Sequence, residues 1–426
     1  MALEPRLGAL LPAGRLPTAG SSSTASGAIC AAAVALAAVT AAAPRRRQRG
    51  LAGRRPAGHL RGRGSVAAAA KPAGFADPKI TEATVDAEKL AYVKGLFSNV
   101  LSVQKPRKLD IFLGVVQGSG YTILGKDEWR DIGGDIHPFI MPLARKGEGD
   151  DTEVLGLLVR APNGSYLAPD EYQVVTQSPL KSWRVNLIST DMNKYIMKRA
   201  EEAAYEGRDK DKSVIEATRD AYKVRFDGSS RTGLDKWLLL EVGAFPDVYR
   251  NLAQEHIEGG DPKTGLVIAD TMRDAFGTNW GFPHAYVGRV LNQYFNGENG
   301  TDNRKTEAEH SVYRCFQSGY PLWTLEDADG SIESLLNEAK MARLTDLDAL
   351  RIFYIKRWTD DQRSAVRTGN ISEGCAALAK AQALMDAVCC GHKSFNRIRA
   401  ELRDTYDEVP GCDHLVEMIE YFRQKE

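Results

Sequence analysis

The feature that most constrains this chain is the helical spacing of its apolar residues from position 234 to the end. Apolar side chains recur three and four positions apart there, which places them on one face of a helix. The predicted helices cover 245–258, 263–276, 332–342, 346–367, 373–390, 394–406 and 413–423. Short polar links separate them, so we expect a helical domain over 234–426 that buries these faces against one another.

The first two helices share the spacing of a two-helix repeat. At offsets 0, 3, 4, 7, 16, 20 and 23 the chain has Tyr249, Leu252, Ala253, His256, Gly265, Ala269 and Met272. A tetratricopeptide (TPR) hairpin has this spacing, because small residues at set positions let its helices approach closely. His256, Gly265 and Met272 depart from the residue types that a TPR places there.

A second unit of the same kind follows, and Pro321 closes it. Its two helices carry Val287, Val290, Leu291 and Tyr294, then Ala308, Val312 and Cys315. The link over 297–303 is about five residues longer than a TPR turn allows. Two-helix repeats usually need at least three units to stack stably, so we expect the later helices to extend or cap the array. An irregular helical bundle is the alternative.

Between 108 and 189 the pattern changes from helical to β-type. The candidate strands are 121–124, 138–144, 154–159, 172–176 and 183–188. Gly, Pro, Asn and Asp separate these runs, for example at 146–151 and 161–164. Short links between successive strands favour an antiparallel sheet over a βαβ unit. The sequence predicts a small β-rich domain over 108–189.

Helices flank this domain on both sides. An N-terminal segment, 80–107, contains an amphipathic helix over 85–104 that ends before a proline. Connecting helices over 190–207 and 213–225 fill the segment 190–228, with Ser213 as the expected N-cap of the second. The predicted fold class is therefore α+β and predominantly α, with a small antiparallel β-rich head followed by TPR-like helical hairpins.

Residues 1–71 differ in composition from the rest and are set aside as a targeting leader. They hold ten Arg, one Lys and a single acid, Glu4. An apolar run over 28–43, shorter than a membrane span, precedes an Arg-rich stretch over 45–63. That order is typical of a bipartite leader, signal-like and then transit, which predicts a chloroplast or plastid location in the stroma or peripheral to the thylakoid.

Two alternatives to the bipartite leader stay open, namely an Ala-rich transit peptide for a primary plastid and a mitochondrial address. A processing site near Ala68 would fit the plastid interpretation. Beyond the leader no apolar run approaches the length of a span, so no transmembrane segment is expected in the mature chain.

Charge and motifs exclude several classes of function. Residues 72–426 contain 45 basic and 55 acidic residues, a formal charge of −10, whereas non-specific nucleic-acid binding needs clustered Lys and Arg. The glycine pair Gly118 and Gly120 lacks the third glycine of a dinucleotide fingerprint and predicts a turn. Phosphate-binding, zinc-protease and nucleophile-elbow motifs are absent from the sequence. We expect no cofactor, no metal and no nucleic acid, and no catalytic residue is assigned.

Three stretches carry a resemblance to a known group of proteins. They are His137–Leu143, 156–160 and the helical hairpins with 321–325. Over roughly 110–420 the chain resembles a family of plant and algal plastid-targeted proteins with TPR-like C-terminal halves. That family has no established activity, so the resemblance implies a location and an architecture and transfers no catalytic residue.

Hairpins without catalytic motifs favour a protein-binding function. The sequence predicts a plastid scaffold or assembly-type auxiliary factor whose helical groove holds a protein partner of unknown identity. Aromatic anchors carry much of the energy of such interfaces. The residues expected at the partner surface are Tyr249, His256, Tyr286, Tyr294 and Trp358.

Two other functions stay open. An enzyme would place its site at the junction of the head and the helical domain, where pockets are common. Carboxylates and imidazole suit divalent ions, so the residues to test would be Asp131, Asp135 and His137. An RNA-binding helical array would need its basic residues on one face, and these are Lys356, Arg357, Arg363, Arg397, Arg399 and Arg403.

Overall fold

The structure is a computed structural model of the 426-residue chain. The residues it describes are 87–99, 105–132, 136–137, 139–159, 171–178, 185–208, 211–278, 280–297, 302–317, 373–389, 393–409 and 412–421. They belong to one compact unit, Val66–Glu426. The predicted leader and the predicted helices over 332–342 and 346–367 lie outside the described residues. The predicted fold class, α+β and predominantly α, is confirmed.

Five antiparallel strands form one sheet, and their order in the sheet is their order along the chain. They are β1 (Thr122–Ile123), β2 (Ile140–Lys146), β3 (Glu153–Leu158), β4 (Gln173–Gln177) and β5 (Asn186–Ser189). Each overlaps one of the five predicted runs, so the antiparallel arrangement is confirmed. The side chains of β3 and β4 are buried on both faces almost throughout, although three of the five residues of β4 are polar, namely Gln173, Thr176 and Gln177.

An irregularity in the sheet lies at a proline in β2. The register between β2 and β3 shifts between Pro142 and Ala144, which accommodates a residue that has no N–H to donate. Gly156 is the partner of Pro142 on β3. A Cβ there would lie 2.5 Å from both Ile140 Cγ2 and the Met141 carbonyl oxygen, so only glycine fits this close crossing.

Helices α1 (Ala87–Asn99), α2 (Leu109–Gly118) and α3 (Lys126–Ile132) precede and interrupt the sheet. The first lies within the predicted amphipathic helix, but the sequence predicts no helix at α2 or α3, and the structure corrects this. The buried residues of α2 are Leu109, Phe112, Leu113, Val115 and Val116. With apolar residues on most of its surface, a short segment has no clear period that separates helix from strand. The predicted turn after it is confirmed, with Gly120 at φ 87°.

Helix α4 (Met192–Glu206) leads out of the sheet and coincides with the predicted helix over 190–207. Asp191 caps its start by accepting a hydrogen bond from the backbone N–H of Lys194 at 2.8 Å. Gly207 ends it with φ 59°, a left-handed conformation that glycine adopts without strain. These two caps fix where the helix begins and ends.

The next helix, α5 (Lys212–Thr218), corrects two expectations. Ser213 is not its N-cap but lies within the first turn, and its hydroxyl donates to the Gly118 carbonyl oxygen at 3.3 Å. The helix ends at Thr218 rather than at residue 225, because Glu201 of α4 binds backbone amides of the following segment. Ser213 therefore ties α5 to the end of α2.

Four helices then form two antiparallel hairpins. After α6 (Arg231–Trp237) and a π-helical turn (Leu238–Val242) come α7 (Pro246–Glu258), α8 (Pro262–Phe276), α9 (Phe282–Tyr294) and α10 (Lys305–Gln317). Helix α7 packs along α8, α9 packs along α10, and α8 joins the two pairs through α9. Prolines in the first turn of α7, α8 and α9 suit positions whose N–H has no helical acceptor.

Glycine sets the close approach within each hairpin. A Cβ at Gly265 of α8 would lie 2.5 Å from Ile257 Cγ1 and 2.9 Å from the Ala253 carbonyl oxygen. In the second hairpin, a Cβ at Gly288 would lie 2.6 Å from Val312 Cγ2. Gly265, which departs from the TPR pattern by residue type, thus occupies a position where the two backbones nearly touch.

Helices α11 (Glu373–Cys389), α12 (Phe395–Asp407) and α13 (Asp413–Tyr421) end the described chain, within a residue or two of their predicted limits. They share one apolar core with the sheet. Phe139, next to β2, meets Tyr406 of α12 edge to face, with ring centroids 5.5 Å apart. Among the helices described, none combines the length and apolarity needed to cross a membrane.

Candidate partner-binding groove

A groove with a volume of about 360 Å³ opens between α7 and α9, the first helices of the two hairpins. Its lining residues are Arg250, Asn251, Gln254 and Ile257 of α7, with Tyr286, Arg289, Val290, Gln293 and Tyr294 of α9. On each helix these positions follow a helical period, so each helix contributes one face. We call this surface the hairpin groove.

The opposite face of each helix explains the orientation of the groove. On α7, Val248, Leu252 and Ala253 are buried at 3% exposure or less. On α9, Val287 and Leu291 are fully buried. Because apolar burial fixes the rotation of both helices, the remaining polar stripes are left facing one another across the gap between the hairpins.

The hairpin groove has an apolar floor and polar walls. Ile257, Val290 and Tyr286 are buried at 7%, 4% and 9% exposure. Two arginines, Arg250 and Arg289, are half-buried, and no carboxylate occurs among the described lining residues. The walls of the groove therefore include two arginine side chains, and the charge of Arg250 also acts on Asp247 one turn earlier on α7.

One acidic residue stands near the rim. The side-chain amide of Gln254 donates a hydrogen bond to Glu258 Oε1 at 2.7 Å. Both residues are exposed near the C-terminal end of α7, beyond the lining arginines.

The structure places two of the five predicted partner residues in the hairpin groove, namely Tyr286 and Tyr294. Tyr249 packs edge to face on Phe276 instead, with ring centroids 6.3 Å apart, and burial raises the pKa of its hydroxyl. His256 is half-buried outside the lining, at the turn between α7 and α8, where its carbonyl oxygen accepts from the Asp261 N–H at 2.8 Å. Trp358 lies outside the described residues.

Sequence reasoning missed the polar lining of the groove, above all Arg250, Arg289 and the three side-chain amides. A signal was present, because these residues follow the apolar positions of each helix by one or two places and recur three or four residues apart. Such a polar stripe is also typical of an ordinary solvated helix face. Only the placement of α7 opposite α9 distinguishes the lining of a groove from an ordinary solvated helix face.

His137 does not form an open site at the junction of sheet and helices. Its side chain is fully buried and lies edge to face on Phe139, with ring centroids 5.3 Å apart. Its Nδ1 accepts a hydrogen bond from the Phe139 N–H at 3.3 Å, and burial lowers its pKa to about 3. The side chain of Asp131, and Asp135 altogether, lie outside what the structure describes.

The described residues include no group of three or more His, Cys, Asp or Glu side chains that could hold a metal ion. His284, at the start of α9, is buried, and its Nε2 lies 3.0 Å from the Gly277 carbonyl oxygen. Burial is the main cause that lowers its pKa to about 4, so the ring is neutral at physiological pH. It serves the packing of the α8–α9 link.

The junction instead holds a network of paired charges centred on α4, which we call the α4 network. Lys198, only 3% exposed, pairs with Asp247 of α7 and lies 4.0 Å from Glu202 Oε1. Glu202 also pairs with two arginines. Its Oε2 lies 2.5 Å from Arg199 Nη1, and its Oε1 lies 3.3 Å from Arg231 Nη2. Every one of these charges has an opposite charge beside it, as buried ionic groups require.

Glu201, also on α4, is fully buried and bonds to the segment that follows α5. Its carboxylate accepts hydrogen bonds from the Tyr222 hydroxyl at 2.6 Å, the Arg225 N–H at 2.9 Å and the Phe226 N–H at 3.1 Å. Since each donor lies far along the chain from Glu201, these bonds hold a non-helical segment on α4. The role of these bonds is structural.

The arginines proposed for RNA binding do not share one face in the described part of the chain. Arg397, Arg399 and Arg403 lie on α12, where steps of 100° per residue separate Arg397 from the other two by at least a third of a turn. Arg403 pairs with Asp404 at 2.6 Å and with Glu420 at 3.2 Å. Lys356, Arg357 and Arg363 lie outside the described residues.

Comparison with known proteins gives a similar chloroplast protein. No protein-family model matches the chain, and no solved structure matches it. The chain is similar to an Arabidopsis thaliana protein named "Protein IN CHLOROPLAST ATPASE BIOGENESIS, chloroplastic", with 26% identity over 233 residues. The match covers 53% of this chain and 63% of that protein, so the chain spans less than two thirds of its relative. That relative is a chloroplast protein, which confirms the resemblance to plastid proteins.

Proposed function

We propose that this protein is a plastid auxiliary factor that assists the assembly of the chloroplast ATPase by holding a protein partner in the hairpin groove. The observation that carries the proposal is the similarity to a chloroplast protein named for ATPase biogenesis. The predicted leader, with its Arg-rich and acid-poor composition, supports the same location.

The architecture supports a binding role. Two rigid hairpins hold a groove of about 360 Å³ whose floor is apolar and whose walls are polar, a combination common in binding sites. The TPR-like arrangement is part of the proposal, since in such arrays the first helices of successive hairpins form the binding face. Gly265 and Gly288 support it by allowing close packing within each hairpin.

The test is a pull-down of the tagged full-length chain from isolated plastids, with and without RNase, analysed by mass spectrometry. The expected result is recovery of one or more ATPase subunits in amounts comparable to the tagged chain, unchanged by RNase. Recovery of no ATPase subunit, or loss of all partners after RNase treatment, would contradict the proposal.

Depletion of the protein gives an independent measurement. Native gels should then have less assembled ATPase while other photosynthetic complexes stay at their usual level. Equal loss of all complexes would point to a general defect in plastid gene expression and not to ATPase assembly. Re-expression of the full chain provides the control.

The location is tested by a fluorescent fusion of the full chain beside a fusion of residues 72–426. We expect the first to enter the plastid and the second to stay outside, because the second lacks the predicted leader. Plastid entry of both fusions would show that import into the plastid does not depend on residues 1–71.

A further inference from the structure

The side-chain amides of the hairpin groove differ from its arginines in their bonding. Arg250 and Arg289 have interactions of their own, and the charge of Arg250 acts on Asp247. The carboxamides of Asn251 and Gln293, by contrast, make no hydrogen bond within the described part of the chain. The lining groups that can bind a ligand without first breaking an internal hydrogen bond are therefore neutral.

These amides occupy both walls of the groove. Asn251 and Gln254 are exposed on α7, and Gln293 is exposed on α9. Gln254 donates to Glu258, and its own carbonyl oxygen accepts from no described residue. A carboxamide donates and accepts, as a peptide group does, so it can bind both the C=O and the N–H of an extended backbone. An anion would use only its donors.

The floor of the groove adds a second requirement. Ile257 and Val290 are buried at 7% and 4% exposure, and the ring of Tyr286 lines the same floor at 9% exposure. An apolar side chain that reaches this floor leaves water, which stabilises the complex. A ligand that uses the whole lining therefore carries an apolar group on a neutral polar chain.

The size of the groove restricts the occupant further. Lining positions run from Arg250 to Ile257 on α7 and from Tyr286 to Tyr294 on α9, which corresponds to a length of about 10 to 12 Å. An extended peptide advances about 3.3 Å per residue, so roughly three or four residues fit. The volume of about 360 Å³ is at the small end of ligand sites and suits a segment of that length.

From these amides, this floor and this size we infer that the hairpin groove binds a short, extended, uncharged segment of the partner polypeptide. The carboxamides of Asn251 and Gln293 hold its backbone, and one apolar side chain enters the floor. The inference rests on the proposed function for the existence of a protein partner. It adds the chemistry by which that partner is recognised.

A nucleic acid would fit the lining less well. Asparagine and glutamine also bind base edges, but the phosphates beside each base need cations, and both lining arginines have interactions of their own. Residues 72–426 carry a formal charge of −10, which repels a long polyanion. The observations therefore favour a neutral polypeptide, and binding of RNA becomes an outcome of the test.

The test uses the full-length chain and fluorescence anisotropy with labelled eight-residue peptides of serine and glycine that differ at one central position. The peptide with a central leucine should bind, and those with serine, aspartate or lysine there should bind about tenfold more weakly or worse, because the apolar contact is lost. Affinity for the leucine peptide should change little with salt, since no charge pair is formed.

A backbone-modified peptide tests the amides directly. Replacing the two peptide groups that flank leucine by esters removes their N–H donors and keeps every side chain. This peptide should bind about tenfold more weakly, because two hydrogen bonds are lost. A purely apolar contact would not distinguish the ester from the amide.

Variants locate the binding. The double variant Asn251→Ala and Gln293→Ala should weaken the leucine peptide about tenfold and should reduce the difference between its amide and ester forms. Asn193→Ala changes an exposed asparagine of α4 outside the groove and should leave both affinities unchanged. Far-ultraviolet circular dichroism and the thermal midpoint establish that each variant is folded.

Several results would overturn the inference. These are equal binding of the amide and ester peptides, an effect of Asn193→Ala as large as that of the double variant, binding of none of the peptides, or preference for labelled single-stranded RNA over every peptide. Tighter binding of the aspartate or lysine peptide than of the leucine peptide would also overturn it.

The pull-down separates this failure from failure of the proposed function. Recovery of ATPase subunits by both wild type and the double variant would retain the assembly role and reject the amide contacts. Recovery by neither would reject the assembly role, whereas recovery by wild type alone would support both.

Discussion

The α4 network and the hairpin groove lie on neighbouring turns of α7 and differ in their surroundings. The α4 network buries Lys198 and Glu202 among opposite charges, one of which is Asp247 at the start of α7. One turn further along α7, the half-buried Arg250 lines the hairpin groove, and its charge also acts on Asp247. The comparison teaches that one helix joins a structural charge cluster to the lining of a groove.

The energetic consequences of the two sets differ. Breaking a buried, paired charge leaves its partners desolvated, which costs several kcal/mol. Changing a half-buried charge that lines a groove costs little in stability, because water replaces what is lost. Substitutions should therefore divide into those that unfold the protein and those that abolish binding without unfolding it.

The largest effect is expected at Glu201. Glu201→Ala removes the acceptor of two backbone amides and one hydroxyl in a fully buried place, so the free energy of unfolding should fall by about 4 kcal/mol. Urea unfolding followed by circular dichroism measures this. Glu216→Ala, which removes an exposed acid paired with Arg219, is the control and should cost less than about 0.5 kcal/mol.

Lys198 should rank second. Lys198→Met keeps the length of the side chain but leaves Asp247 and Glu202 without their shared cation, at a cost of about 3 kcal/mol. Arg199 and Arg231 still neutralise Glu202, which is why the loss is smaller than at Glu201. If the variant were as stable as wild type in urea unfolding, the charge of Lys198 would contribute nothing to stability beyond the packing of the methylene groups of its side chain.

The pH dependence of stability should separate Asp247 of the α4 network from Asp235 of α6, whose carboxylate lies 3.1 Å from Arg231 Nε. Burial would raise the pKa of Asp247, but the charge and hydrogen bond of Lys198, together with Arg250, outweigh it and hold the pKa below its usual value. Burial, aided by the nearby acids Asp247 and Glu202, outweighs Arg231 and raises the pKa of Asp235. The two carboxyls therefore contribute to stability with opposite signs.

The sign of each contribution follows from the direction of its shift. Ionised Asp247 adds stability above its unfolded pKa of about 3.9, and this is lost as pH falls through the lower folded pKa. Asp235 adds stability below its unfolded pKa, and this is lost as pH rises through the higher folded pKa. At neutral pH Asp247→Asn should lower the free energy of unfolding, and Asp235→Asn should leave it unchanged or raise it.

Unfolding in urea at several pH values between about 3 and 7 tests both variants. Wild type should lose stability toward acid more steeply than Asp247→Asn does. The same loss at neutral pH for Asp235→Asn as for Asp247→Asn would show that ion pairing, and not burial, decides the balance at both positions.

The smallest effect on stability is expected in the hairpin groove. Arg289→Glu should change the free energy of unfolding by less than about 0.5 kcal/mol, because the side chain is half-buried and its helix is held by the opposite face. Partner binding should nonetheless be lost. A destabilisation comparable to that of Lys198→Met would place Arg289 in the structural set and end the distinction between the two regions.

Much of the fold could be predicted because local signals agree with it. Prolines, glycines and Asp caps mark the ends of α4, α7 and α8, and the predicted strands coincide with the sheet. The failures occur where local signals are ambiguous. Helix α2 is apolar on most of its surface, and the end of α5 depends on Glu201, which belongs to another helix.

The groove was only partly predictable. Tyr286 and Tyr294 were expected at a partner surface as aromatic residues of repeat helices, and they line the groove, whereas Tyr249 has the same sequence character and packs on Phe276. Arg250 and Arg289 have the sequence signature of a solvated helix face. Their role in the lining depends on which helix lies opposite.

The sequence by itself determined most of the described helices, the five strands, their antiparallel arrangement and the leader-like composition of 1–71, because these follow from side-chain periodicity, caps and turn residues that act over a few positions. Only the tertiary structure decided which charges are buried and paired and which line the hairpin groove. Lys198 and Arg250 are both cations on amphipathic helices, and their surroundings come from residues tens of positions away, which are brought near only when apolar faces pack.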